Sequence, residues 1–277
     1  MNFNSLSKIL VGIFSVVLLS FLVIKVAPAF LGTNFFINRP LPELVKEDIS
    51  EIADYAITAF NNGDFTNAIT LYERALKEGD FTGENRTTLL LNLAIAYEAI
   101  GDTTGAQTTY ALILKDEPEQ SVLWHLIHAR MALISEYLEI PSALSHLEEI
   151  LKMDTSNFDA LTTLSLIYMG EYGTSFQDNA KALDYNLQSL QISPDNDNVK
   201  LNLATTYLEL NQYTQAETLL KNVLTNREDF IPASYLLMKT LYLEGKISEA
   251  KLLAKKLLSI YEGFEEDDLV KEILAAK

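Results

Sequence analysis

Cysteine is absent from the 277 residues, which removes disulfides, thiolate metal sites and cysteine nucleophiles together and is compatible with either side of a membrane. Histidine occurs three times and tryptophan once, so imidazole chemistry has few places to arise. Acidic residues are missing from the whole stretch before Glu43, where Lys8, Lys25 and Arg39 are the only charged side chains. Everything downstream is therefore more negative than the −17 of the full chain. A body of that sign repels phosphate backbones, which excludes nucleic acid as a partner. Apolar material is plentiful: 48% of residues are hydrophobic and 21% charged, enough for a packed core and too little polarity for general disorder.

Residues 9–24 read ILVGIFSVVLLSFLVI without a charge, and after Lys25 a second apolar stretch covers 26–31. A helix over the first run spans about 24 Å, short of a hydrocarbon core of about 30 Å. Snorkelling of Lys25 lets 26–31 extend it into a single-pass anchor. A cleaved secretory signal is the competing reading, because Lys8 supplies a positive leading region and Ala27-Pro28-Ala29 has the form of a cleavage site. The expectation is a transmembrane anchor over 1–31, with the body on the extracytoplasmic side; cleavage would instead leave a secreted or periplasmic protein. Gly32, Pro40 and Pro42 make 32–48 a linker, and with Pro28 they favour an extended chain from about residue 26.

From about residue 49 the pattern is helical, and it repeats. Gly63-Asp64-Phe65-Thr66-Asn67-Ala68 is followed by Tyr72 and Ala75-Leu76, and Gly101-Asp102-Thr103-Thr104-Gly105-Ala106 by Tyr110 and Pro118. Leu93, Ala94 and Tyr97 precede the second of these turns. These residues resemble the tetratricopeptide consensus, a helix–turn–helix unit of about 34 residues. Six such units fit 49–264. The third replaces the turn glycine with Leu138 and keeps Ala143, Leu147 and Ile150; the fourth carries extra residues around 170–176 before Ala182. In the fifth Asn211 stands for glycine beside Leu203-Ala204 and Ala216, and the sixth has Leu237, Gly245 and Ala250 in phase. Residues 265–277 open with four acids and continue with Leu269, Ile273 and Leu274 at helical spacing, as a C-terminal capping helix would.

The resemblance implies an all-α, right-handed superhelical solenoid whose concave side is lined by first helices. The family's groove positions fall here on Ile57, Phe60, Leu91, Ile95, Leu166, Met169, Leu201, Leu208, Tyr235 and Tyr242. That inventory is apolar and aromatic, so the expected occupant is an amphipathic helix, an apolar peptide, the chain's own linker or a second copy of the chain. Packing within the array is the plainer role for any one of them. The family's carboxylate clamp is missing: Asn92 and Asn202 match clamp asparagines, but Ala53, Ile57, His125 and Ala129 occupy the other required positions.

No catalytic, cofactor-binding or metal residues are expected. His125 and His128 lie three apart on one helix, with His146 or Glu149 on the next, but ordinary packing is the reading preferred over a shared metal, since no carboxylate pattern around them supports a site. Residues 101–105 lack the Gly-Lys-Ser/Thr ending of a phosphate loop. The acids at 148–149 and 265–268 read as solvated faces or helix N-terminal charges. The sequence thus points to a membrane-tethered scaffold for a protein or peptide partner, or to a chaperone-like assembly or translocation factor for exported or membrane proteins, and away from an enzyme.

Overall fold

The computed structural model describes residues 49–260 and 262–276, so the expected anchor over 1–31 and linker over 32–48 lie outside the described residues. No helix among the described residues is long and apolar enough to cross a membrane. The described chain is all-α and divides between Thr155 and Ser156 into two compact units.

The first unit consists of three helical hairpins: α1 (Ile49–Asn61) with α2 (Phe65–Glu78), α3 (Gly83–Ala99) with α4 (Thr103–Leu114), and α5 (Val122–Leu133) with α6 (Ile140–Met153). The second has three more: α7 (Phe158–Met169) with α8 (Asn179–Ile192), α9 (Asp197–Glu209) with α10 (Tyr213–Asn226), and α11 (Ile231–Leu243) with α12 (Ile247–Ile260). A 3₁₀ turn, Glu262–Glu266, and a short helix α13 (Asp268–Ala275) follow.

One local device turns most of these hairpins. The first helix ends on a left-handed residue, and the next amide reaches back five residues to close the exposed carbonyl. Asp64 N–H donates to Ala59 O at 2.9 Å, Asp102 to Tyr97 at 2.9 Å, Gln212 to Tyr207 at 2.8 Å and Lys246 to Leu241 at 2.8 Å. Gly63 and Gly101 hold the left-handed position at φ 77° and 78°, and Asn211 does so at φ 59°. The residue after the turn then caps the second helix where it is Asp64 or Asp102, whose carboxylates accept from Asn67 N–H at 3.3 Å and Gly105 N–H at 2.8 Å.

The third turn is built differently. Leu138 takes φ 43°, a conformation its Cβ disfavours, and Glu139 N–H reaches back to Ala132 O at 3.0 Å. In the fourth, the additional residues form a 3₁₀ turn, Thr174–Phe176, and Asp178 N–H donates to Tyr168 O at 2.8 Å. The insertion is thereby pinned at both ends and leaves the helices of that hairpin in contact.

Small side chains sit where paired helices cross. Ala68, Ala106, Ala143, Ala182, Ala216 and Ala250, one on each second helix, are all fully buried. A methyl group there lets backbones approach, and larger residues fill the wider spaces alongside. Tyr72 and Tyr110 do this in the first unit; Leu161, Leu164, Leu203 and Leu220 in the second. The Tyr110 hydroxyl meets a carboxylate at the edge of the core. Tyr110 donates to Glu98 at 2.6 Å, and Arg130 of α5 donates to the other Glu98 oxygen at 3.0 Å. One carboxylate therefore ties α3, α4 and α5.

The second unit closes on α13, which buries Val270 and Ile273 completely. Asp267 accepts from Val270 N–H at 2.9 Å and from the Tyr235 hydroxyl at 3.0 Å. The Tyr242 hydroxyl donates to Glu272 at 2.7 Å. The capping helix is thus fastened to α11 by two tyrosines as well as to α12 by packing.

Candidate functional site

The residues expected to line a docking face have different surroundings in the two units. In the first, Ile57 on α1 is exposed by 36% and Phe60 is half-buried. Phe60 meets Phe65 and Tyr72 edge to face, at 5.5 and 6.4 Å between ring centres. Leu91 and Ile95 on α3 are also half-buried, so each offers part of its side chain to solvent.

In the second unit Leu166, Leu201 and Leu208 are buried, exposed by 6%, 6% and 4%. Met169 is half-buried, and its sulfur accepts from Ser165 Oγ at 3.6 Å and Asn186 Nδ2 at 3.7 Å. Tyr235 and Tyr242 are committed to α13: Tyr235 stacks on Phe264 at 5.9 Å besides its bond to Asp267. Burial first, then the Asp267 charge, pushes the Tyr235 phenol well above its ordinary range, so it stays protonated and can donate to Asp267.

Around Leu91 the surface is concave. A cavity of about 520 Å³ is lined by the start of α3, the α4–α5 connection and the start of α5. Leu91 and Leu123 give it an apolar wall, and Thr87 and Thr88 add hydroxyls. Its charged lining is three carboxylates, Glu84, Asp116 and Glu117, against the single guanidinium of Arg86. The chain reaches this arrangement because Gly83 starts α3 at φ 54°. The connection after α4 also returns past that start, with Ser121 capping α5 through Trp124 N–H at 3.0 Å while its hydroxyl bonds Glu117. Of the cavity's residues only Leu91 was marked by the repeat pattern. The others come from a helix start and a connection, where a period read from helix interiors carries no signal.

The histidines meet. His125 of α5 and His146 of α6 place their Nδ1 atoms 2.9 Å apart, and the His128 ring lies 5.3 Å from that of His146. Among the described residues, however, no group of three histidine, aspartate or glutamate side chains converges so as to hold a metal ion.

Elsewhere the notable electrostatics are structural. Glu217 of α10 is nearly buried and accepts from Lys221 at 2.5 Å and Lys246 at 2.6 Å. The two ammonium donors hold its carboxyl down to about 2. Tyr97 donates to Glu73 at 2.5 Å; burial, then that carboxylate, push its phenol up to about 12.

Against known proteins, the tetratricopeptide-repeat family model matches residues 59–131 and 176–230. The crystal structure of PilW, a widely conserved type IV pilus biogenesis factor, aligns at a TM-score of 0.52 and 22% identity, covering 65% of this chain and 80% of that one. A tetratricopeptide repeat protein from Parabacteroides merdae aligns at a TM-score of 0.46 and 15% identity, over 82% of this chain and 97% of that one. A thermophilic tetratricopeptide repeat protein from Thermus thermophilus aligns at 0.39 and 17%, over 83% and 100%. No curated protein sequence matches significantly.

Proposed function

We propose that this chain, in which residues 59–131 and 176–230 match the tetratricopeptide-repeat family model, is a membrane-tethered scaffold, not an enzyme. It captures a protein segment in which an apolar side chain is flanked by basic ones. The observation that carries the reading is the cavity beside Leu91, where an apolar wall is rimmed by Glu84, Asp116 and Glu117. An entering leucine or phenylalanine side chain loses its contact with water against Leu91 and Leu123. A neighbouring lysine or arginine then meets the acidic rim, and the charge of the whole body steers such a segment inward. Partly exposed Ile57, Phe60 and Ile95 extend the apolar character of the first unit's first helices. Tethering is assigned to residues 1–31, on the strength of the uncharged run 9–24 and its apolar continuation over 26–31 beyond Lys25.

An array of short peptides varying the apolar anchor and the charge around it tests the binding. Peptides pairing an apolar anchor with lysine or arginine are expected to bind best, with affinity falling as salt is raised. Asp116→Lys should weaken them about tenfold, whereas Glu265→Lys, a change of equal charge outside the cavity, should have little effect. Equal binding of every unfolded apolar peptide would favour a chaperone-like role. No effect of Asp116→Lys or Leu91→Ser would sink the assignment of the site. For the tether, the full-length chain should resist alkaline extraction from membranes, and recovery of a soluble protein starting near Pro28 or Phe30 would replace the anchor with a cleaved signal.

A further inference from the structure

The three histidines of the chain gather in one hairpin of the first unit, and their geometry restricts how many protons they can carry. His125 and His146 hold their Nδ1 atoms at 2.9 Å across α5 and α6. Such a contact is a hydrogen bond only while one of the two nitrogens keeps a lone pair. The pair can take up one proton on an outer nitrogen and survive; a second proton sets two N–H groups against each other. His128 has its own constraint, because its Nδ1 lies 2.8 Å from the Trp124 carbonyl, which can only accept. Its Nδ1 therefore carries hydrogen, and any further proton makes it a cation beside the pair. Trp124 covers the group, 3.8 Å from the His128 ring and edge-on to His125 and His146 at 5.1 and 5.4 Å.

Compensation for added positive charge is scarce. On α6, Glu149 faces His125, but its carboxylate accepts from Lys152 at 2.6 Å, with Glu148 also near that lysine. Helix α4, which packs against α5, contains no charged residue. Its Tyr110 is engaged with Glu98 of α3, the same carboxylate that pairs with Arg130 of α5. Burial first, partly offset by Glu149 and reinforced by His128, holds the His125 imidazole below its ordinary value; burial and both neighbouring imidazoles do the same for His146.

The hairpin is also one whose order depends on its own internal contacts. Helix α5 leans more lightly on α4 than α3 does on α2, and the α5–α6 turn is made at a left-handed leucine instead of a glycine. We propose that the α5–α6 hairpin is an acid-released latch, closed by the His125–His146 contact at neutral pH and opened locally when both rings are protonated. The sign follows from the depressed imidazoles. The unfolded hairpin binds protons more readily than the folded one, so stability is complete above about pH 6.5 and declines as pH falls. The latch does not depend on the docking role of the cavity.

The test uses the full chain in lipid nanodiscs. Amide exchange is measured from pH 7.5 to 5 and corrected for intrinsic rates, alongside imidazole NMR titration of the three histidines. Protection of α5 and α6 should fall roughly tenfold per pH unit for each proton taken up, while that of α1 and α2 stays level. His125→Asn with His146→Gln should flatten this dependence. Protection that is independent of pH, a decline shared equally by α1 and α2, or His125 and His146 titrating at the ordinary imidazole value would each overturn the proposal. The wild-type measurements decide it even if the double variant fails to fold.

Discussion

A carboxylate inside a helical core is tolerated only when donors meet it, and Glu217 shows how closely. Lys221 comes from the same helix, and Lys246 from the turn of the following hairpin. Glu217→Gln leaves both ammoniums facing an amide, and the expected loss is about 1 to 2 kcal/mol, the lysines being partly solvated. The native carboxyl is held down to about 2 against an ordinary value of 4.5. Its contribution is therefore intact above pH 4.5 and lost as pH falls toward 2. Urea melts of the two proteins should differ at pH 7 and converge in acid; a constant difference would show that the carboxylate charge is not the cause. The alanines of the second helices make the opposite demand, for absence of bulk. Ala106, fully buried, should cost about 1 to 3 kcal/mol on change to leucine, measured the same way. The alanines were legible because they recur at fixed distances from a turn. Glu217 was not, since a period marks a position as buried without showing which remote side chains will meet it.

At the scale of elements, the third turn and the capping helix carry the clearest consequences. Leu138 stands left-handed where the other turns use glycine or asparagine, and it is 37% exposed. Leu138→Gly removes Cβ strain with little buried surface to lose, so a gain of up to about 1 kcal/mol is expected in thermal melting. A loss would mean that the leucine side chain packs usefully despite its backbone. Ile273 on α13 is fully buried, and Ile273→Ala should cost about 2 to 4 kcal/mol. It should also release Tyr235 and Tyr242 to solvent, visible as a shift in tyrosine absorbance. The helices themselves were readable from their apolar spacing and the turn residues. What the spacing could not reveal is that two tyrosines assigned to a docking face would instead anchor the cap, because their partners Asp267 and Glu272 lie about thirty residues on.

For the molecule as a whole the dominant quantity is charge. At −17 like charges repel through the folded body and less so in an expanded chain, and salt screens the difference. The melting temperature should therefore rise between 10 and 200 mM sodium chloride by roughly a few degrees. A fall would show that ion pairs such as Arg130–Glu98 outweigh the general repulsion. The repeat architecture was legible because each hairpin is specified within its own residues. The cavity at Leu91 was not, since its lining is assembled from a helix start and a connection that returns to it.

Those six alanines have a practical corollary. The distances from Ala68 to Ala106, Ala143 and Ala182 are wider than those from Ala182 to Ala216 and Ala250, yet every one of them is fully enclosed. The excess length is absorbed in connections such as the 3₁₀ turn at Thr174–Phe176. Such segments are natural ports for a fluorescent reporter or an affinity handle, which would travel with the protein without entering its joints.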